Sequence, residues 1–369
     1  MQLNYKNILS FFVIASSMLY TPIFFSIKVN GDFRFGLMLT IVIFLLMELK
    51  KIYTKDIVIM LCLVLIFFIS ILNEKLNITN LRHTLSFINI IIFGWSLKKY
   101  LISNEIQKIF IIKIYAAFTW FVIISSLLSQ IYFISIDELD IFGFKSDIYQ
   151  YLVTPFGILL KKEFLHLSLY RSFFYFEEPI YMGVFCAGNI LLLSSTIKDR
   201  NSKFKIINYI GGFLTFSATF YILILIYLIA RKFNKIKYLF YFILFYFILF
   251  FDSNFSMLNN LTSLDDRIQR ILFSLDVISD ANIFEILFGF GFNHNIIFYK
   301  AFNSGINIII FHYGIVGLIL FMTSITLFID NLFVLIFFII VSTVINPFFS
   351  PLFILMMAIS STPFRRTLS

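Results

Sequence analysis

Between Tyr170 and Gly183 the chain reads YRSFFYFEEPIYMG, with long apolar runs on both sides. Glu177 and Glu178 precede Pro179, which suits the first turn of a helix because its missing N–H costs nothing there. Two readings of the carboxylates are open. They stabilise the positive end of the helix dipole, or one of them, partly desolvated, accepts a proton as a general base. Arg171 offers a planar guanidinium that grips a phosphate through two parallel hydrogen bonds. Tyr181, in the first turn of the same helix, is a further contact for such a ligand. A second stretch, FGFGFNHNIIFY from Phe288 to Tyr299, sets His294 between Asn293 and Asn295. Gly289 and Gly291 allow a turn close to a ligand. His294 is either a solvated loop histidine or one that bonds sugar hydroxyls or a phosphate, or shuttles a proton. Before it, Arg267 and Arg270 lie three residues apart and share a side of a helix. Arginine and carboxylate together at a membrane edge suit a phosphate-bearing lipid.

Other chemistries find less footing. The four histidines share no ligand spacing, and Cys62 and Cys186 both lie in apolar runs, so neither a metal site nor a disulfide framework is expected. His83 and His312, isolated within apolar segments, read as structural, and His166 as interfacial. The acidic run Asp137 to Asp140 is a solvated loop or, as the rarer alternative, a cation site. No phosphate-binding loop and no dinucleotide fingerprint occur, so no cofactor is expected. A net charge of +9 raises nucleic acid as a partner. The basic residues, however, sit in short clusters between apolar runs, as at Lys50–Lys51, Lys98–Lys99, Lys198–Lys205, Arg231–Lys237 and Arg365–Arg366. That pattern orients membrane helices and argues against nucleic acid.

The elements that position these residues are membrane helices. Of the residues, 60% are hydrophobic and only 13% charged, against about 25% charged in ordinary globular domains. Apolar runs near the ~20 residues needed to cross a bilayer recur along the chain. The expected fold is an all-α, polytopic membrane domain over 1–369. Helices are expected near Ile8–Ile27, Phe35–Leu49, Ile57–Leu72, Thr84–Leu97, Ile109–Ile136, Pro179–Ile197, Ile236–Phe251, Gly305–Phe328, Leu332–Ile345 and Pro351–Ser361. Ile206–Ala230 is one span, or two short segments turning near Ser217 and Thr219. The second reading keeps both flanking basic clusters in the cytoplasm and gives about 12 segments with both termini inside. Two long loops, 137–178 and 252–304, then face outward. The second contains SLDDRIQRILFSLDVIS, from Ser263 to Ser279. Its Ser263–Asp266 capping signal and the 3.6-residue spacing of Leu264, Ile268, Ile271, Leu275 and Ile278 predict an interfacial amphipathic helix. The first holds a weaker helical candidate at Ile148–Leu169.

Three segments resemble one family. RSFFYFEEPIYMG is similar to the Arg…Glu-Pro…Gly stretch of the Wzy-type O-antigen and capsule polymerases, relatives of the O-antigen ligases. LTFSATFYILILIYLIARK (Leu214 to Lys232) resembles their Thr-x-Ser segment. LFGFGFNHN with FHYGIVGLILF resembles their closing Gly-x-Gly, His-Asn and Gly-x-x-Gly pattern. The chain departs from the family at one place: many relatives carry an arginine after the serine of Thr-x-Ser, where Ala218 and Thr219 follow Ser217 here. The resemblance implies a bacterial inner-membrane protein of about 10–14 helices with two large outer loops. It implies a glycosyltransferase that moves a glycan from undecaprenyl diphosphate to the non-reducing end of a second lipid-linked repeat unit, driven by loss of the lipid diphosphate. On that basis Arg171, Arg267 and Arg270 contact the diphosphate, with Asn295 and Tyr181 as further substrate contacts. Glu178 is the base, with Glu177 as its substitute, and His294 contacts sugar or phosphate. The partners implied are the undecaprenyl-diphosphate-linked oligosaccharide, the lipid bilayer and a chain-length regulator protein. A ligase differs from this in its acceptor, and His-Asn in the last outer loop leans toward it. A flippase of the same pathways is the reading of another class, but repeated halves and mid-membrane polar sites are not evident.

The topology is tested by single cysteines in a background without Cys62 and Cys186. Cysteines at Ser146 and Asn260 are expected to react with an impermeant thiol reagent in intact spheroplasts, and one at Asn201 only after lysis. Labelling of the Asn201 variant in intact spheroplasts would overturn the outward assignment of both long loops.

Overall fold

The computed structural model describes residues 5–20, 31–49, 51–74, 78–135, 150–164, 167–172, 174, 176, 179–193, 201–232, 280–291, 305–344 and 350–362. They are mostly helical. Among them, Thr54–Asn73, Leu81–Ser103, Glu105–Ile134 and Gly305–Phe328 are long and apolar enough to cross a membrane. The expected helix Ile236–Phe251, the amphipathic segment Ser263–Ser279 and the acidic run Asp137–Asp140 lie outside the described residues. The chain forms two compact units, one from Met1–Leu49, Ile92–Leu225 and Phe349–Ser369, the other from Lys50–Ile91 and Ile226–Phe348.

The first unit contains α1 (Tyr5–Tyr20), α2 (Gly31–Met47), the later part of α4 (Ile78–Ser103) and α5 (Glu105–Ser135). These helices are strongly apolar, and one cluster of polar side chains gathers at one end of the unit. At one end, Tyr5 donates to Glu48, and Lys6 pairs with Glu48 at 3.5 Å and reaches Asn104 at 3.4 Å. The bond to Glu48 holds the Tyr5 phenol above its usual range. Ser10 donates to Gln107 at 2.9 Å, and Gln107 to Asn7 at 3.1 Å. Lys108 reaches the Thr362 carbonyl, just beyond the helix Pro351–Ser360, at 3.1 Å. One polar cluster thus joins the start of α1, the end of α2, the α4–α5 junction and the end of that last helix.

At the other end of α5 the structure corrects the helical candidate Ile148–Leu169. The segment is a three-stranded antiparallel sheet in the order β1 (Gln150–Thr154), β2 (Gly157–Phe164), β3 (Leu167–Ser172). Thr154 pairs with Gly157 across the Pro155–Phe156 turn, and Leu160 pairs with Arg171. A proline followed two residues later by glycine is turn chemistry, which the leucine spacing had masked: proline lacks the N–H a helix interior needs. Thr154 Oγ1 stabilises the turn, accepting from the Phe156 N–H at 3.2 Å and lying 2.8 Å from the Gly157 carbonyl. The sheet is fastened to α5: Ser172 donates to the Ser126 carbonyl at 3.0 Å, and Gln130 to the Tyr170 carbonyl at 2.6 Å.

The expected helix Pro179–Ile197 forms as α6 (Pro179–Gly188) and then widens into a π-turn at Asn189–Leu193. Buried side chains stabilise the widening. Tyr115 donates to Asn189 at 2.8 Å, Asn189 to Asn208 at 2.9 Å, and Asn208 to the Phe204 carbonyl at 2.8 Å. That chain of bonds links α5, the π-turn and α7 (Asn201–Leu214). The ambiguous stretch breaks in two, α7 followed by α8 (Ala218–Lys232), at Thr215–Ser217, where the two-segment reading put its turn.

In the second unit α3 (Thr54–Glu74) packs along α10 (Gly305–Phe328), which is followed by α11 (Leu332–Val344). A short α9 (Ile283–Phe288) starts with an Asn282–Glu285 capping box, a sequence signal not used above. Gly314 interrupts α10 with φ 66°, and Gly289 has φ 86°. The two glycines interlock with facing backbone. A Cβ on Gly289 would lie 2.4–2.5 Å from backbone atoms of His312 and Tyr313, and one on Gly314 would lie 2.3 Å from the Leu287 carbonyl oxygen. Gly289→Ala should therefore lower the melting temperature of the purified protein, at an overpacking cost of about 1–3 kcal/mol plus backbone strain. Gly36→Ala in α2 is the control: nothing lies within 4 Å of its Cβ position. Equal melting of the two variants would contradict this packing.

Candidate functional site

Arg171 stands near the end of β3, where the sheet lies on α5. Its half-buried guanidinium donates through Nε to the Thr215 carbonyl at 2.8 Å. That carbonyl belongs to the break between α7 and α8, where the regular i→i−4 bonds lapse. Within the break Thr215 Oγ1 donates to the Gly212 carbonyl at 2.6 Å and accepts from the Ser217 N–H at 3.2 Å. Phe216 takes a left-handed φ of 44°, and α8 resumes as the Tyr221 N–H reaches the Ser217 carbonyl at 3.3 Å. Thr215 and Ser217 are buried. This segment thus receives its guanidinium contact from β3, through Arg171.

Glycines let the break approach α6. A Cβ on Gly183 would lie 2.9 Å from Ser217 Cβ and 3.1 Å from its Oγ. One on Gly212 would lie 2.0 Å from the Phe220 ring. The break therefore rests against the second turn of α6. In the first turn of α6, Tyr181 is half-buried, with its ring 6.4 Å from that of Phe353. Glu177 and Glu178 lie outside the described residues, but they directly precede Pro179, the first residue of α6. The structure so brings together Arg171, the buried hydroxyls of Thr215 and Ser217, and the second turn of α6. A guanidinium can hold an oxyanion through parallel hydrogen bonds.

The other expected residues, Arg267, Arg270, His294 and Asn295, lie outside the described residues, as does His166. The turn before His294 is described as far as Gly291, and it corrects the expectation for Gly289: that glycine makes its close approach to the backbone of α10, not to a ligand. His312 is buried, with Nδ1 2.9 Å from the Gly291 carbonyl oxygen, a structural role as expected. Asn73 at the end of α3 donates to the Phe288 carbonyl and, at 3.3 Å, to that of His312. Tyr313 donates to Thr84 at 3.1 Å, and Thr84 lies 2.8 Å from Ser70 Oγ. Sequence reasoning missed Asn73 and Thr84. The available signal was a polar side chain in an otherwise apolar helix. Among the described residues no three His, Cys, Asp or Glu side chains gather to hold a metal ion. No protein-family model, no curated protein and no solved structure matches the chain.

Proposed function

We propose that the chain is a polysaccharide polymerase. In this reading it joins undecaprenyl-diphosphate-linked repeat units on the outer face of the bacterial inner membrane, through about 12 segments with both termini in the cytoplasm. The observation that carries the reading is the Arg171 guanidinium tied to the Thr215 carbonyl at a helix break beside α6. A guanidinium fixed there meets the main demand of the reaction, charge stabilisation on a departing diphosphate. The polar cluster at one end of the first unit supports the topology, because it unites helix ends that the basic clusters assign to the cytoplasm.

In the reaction an acceptor sugar hydroxyl attacks the anomeric carbon of the donor glycan. The bond from that carbon to the diphosphate oxygen breaks, and undecaprenyl diphosphate leaves with the bonding electron pair. Glu178, at the mouth of α6, takes the hydroxyl proton, and Glu177 supports the helix start. Arg171 stabilises the charge growing on the diphosphate. Holding both lipid-linked reactants in one place removes much of the entropic barrier. Arg267, Arg270, His294 and Asn295 keep their roles as sequence-based assignments.

Arg171→Lys and Glu178→Gln test these roles in purified protein supplied with lipid-linked repeat units. Lysine retains the charge and can still donate to the Thr215 carbonyl, but it lacks the planar fork. It is expected to remain folded and lose most polymerisation. Glu178→Gln retains size and much hydrogen bonding at the helix start but accepts no proton. As a base its loss should slow turnover by roughly 10²–10⁴-fold. As a helix-dipole anion alone it should cost only ~0.3–1 kcal/mol of stability. Near-normal turnover of Glu178→Gln removes it as base, and normal polymerisation by Arg171→Lys removes the diphosphate contact.

A further inference from the structure

The last helix, α12 (Pro351–Ser360), starts beside α6. Phe353 and Tyr181, whose rings meet at 6.4 Å, are each the third residue of their helix. Farther along, α12 packs against the π-turn that continues α6. The two helices therefore open at the same end. Their openings are furnished differently. Two glutamates precede α6, whereas Phe348 and Phe349 precede Ser350, and the first turn of α12 has no acidic residue. Every residue from Pro351 to Ile359 is buried. The positive end of the α12 dipole thus lies in a low-dielectric setting with no acid from its own sequence.

Ser350 is the N-cap of α12, the position whose hydroxyl normally accepts from the second or third N–H of the helix. Here it makes no capping bond. The residue is 2% exposed, and among the described residues its Oγ has no hydrogen-bond partner. A buried hydroxyl left unpaired is costly, and native structures seldom leave one so. In the first turn Pro351 has no N–H, and the N–H groups of Phe353 and Ile354 both return to the Ser350 carbonyl, at 3.0 and 3.2 Å. The N–H of Leu352 precedes the first of these bonds and so has no acceptor within the helix. The hydroxyl, without a partner among the described residues, and the helix-start N–H receive no carboxylate from the sequence of α12 itself.

We infer that the opening of α12 is an oxyanion site, taking a phosphate group on the Ser350 hydroxyl and the Leu352 N–H, beside Tyr181. The inference rests on the polymerase reading for its substrate: the phosphate is one of those in the lipid-linked donor, held where α6 and α12 open together. A free phosphate offers the same chemistry, and the test separates the two.

Purified protein in nanodiscs is titrated calorimetrically with undecaprenyl diphosphate and with inorganic pyrophosphate, and the melting temperature is measured alongside. Ser350→Asp places a carboxylate at the N-cap, which suits the helix and occupies the anion position. It should weaken lipid-diphosphate binding about tenfold or more, the scale of a lost hydrogen bond to a charged group, with melting unchanged or raised. Ser350→Ala should also weaken binding, while Ser350→Thr, which retains the hydroxyl, should restore it. Competition between pyrophosphate and lipid identifies the lipid head group as ligand; binding of pyrophosphate alone identifies a free phosphate and leaves the site standing. The inference fails if the parent binds neither probe, if Ser350→Asp binds like the parent, or if Ser350→Thr loses affinity as Ala does. A parent that binds lipid diphosphate but makes no polymer sinks the polymerase reading and spares the site. A polymerising parent whose Ser350→Asp variant binds equally well does the reverse.

Discussion

A helix that breaks inside hydrocarbon bares backbone groups that no water is there to satisfy, at a cost on the order of several kcal/mol each. Among the described residues, polar side chains meet three interruptions of the helices. Arg171 reaches the Thr215 carbonyl between α7 and α8. Asn73 serves the carbonyls of Phe288 and His312 beside the Gly314 kink, and His312 bonds the Gly291 carbonyl. Asn189, Tyr115 and Asn208 secure the π-turn. Other buried serines and threonines stay within regular helices and bond carbonyls three or four residues back, as Ser17, Thr119 and Ser129 do.

The same constraint links architecture to chemistry. A guanidinium anchored by one nitrogen to a fixed carbonyl has lost much of its rotational freedom before any ligand arrives, the preorganisation on which electrostatic catalysis depends. The small sheet contributes by carrying Arg171 off the end of α5 to the break. Gly183 contributes by its lack of a side chain, which lets α8 start against α6, and Gly212 leaves room for the Phe220 ring against α7. The opening of α12, whose Ser350 hydroxyl has no partner among the described residues, lies at the same end of the unit as the opening of α6.

Much of this was legible in the sequence. Gly305–Phe328 formed with the bounds its apolar run suggested, and the runs at Leu332 and Pro351 gave helices ending within a residue of expectation. Burial of a continuous apolar stretch leaves a helix few alternatives there. The Thr215 break was legible from charge, since basic clusters flank both sides of 206–230. The sheet was not, because the leucines of 148–169 fit a helical period and the Pro155–Gly157 turn was outweighed. Nor were the contacts of Asn73 with Phe288 and His312, which join residues more than two hundred positions apart through glycine-to-backbone packing that no local pattern encodes. Ser350 followed by Pro351 reads as an ordinary N-cap, and its missing bond emerges only from the folded geometry.

The central claim is that this chain alone joins lipid-linked repeat units. Its most direct test is to reconstitute the purified protein in vesicles with undecaprenyl-diphosphate-linked repeat units, without ATP or nucleotide sugar, and to resolve the glycans on a gel. A ladder of products one repeat apart, with release of undecaprenyl diphosphate, is the predicted result. Single repeat units that persist unchanged while the protein remains folded would contradict the account.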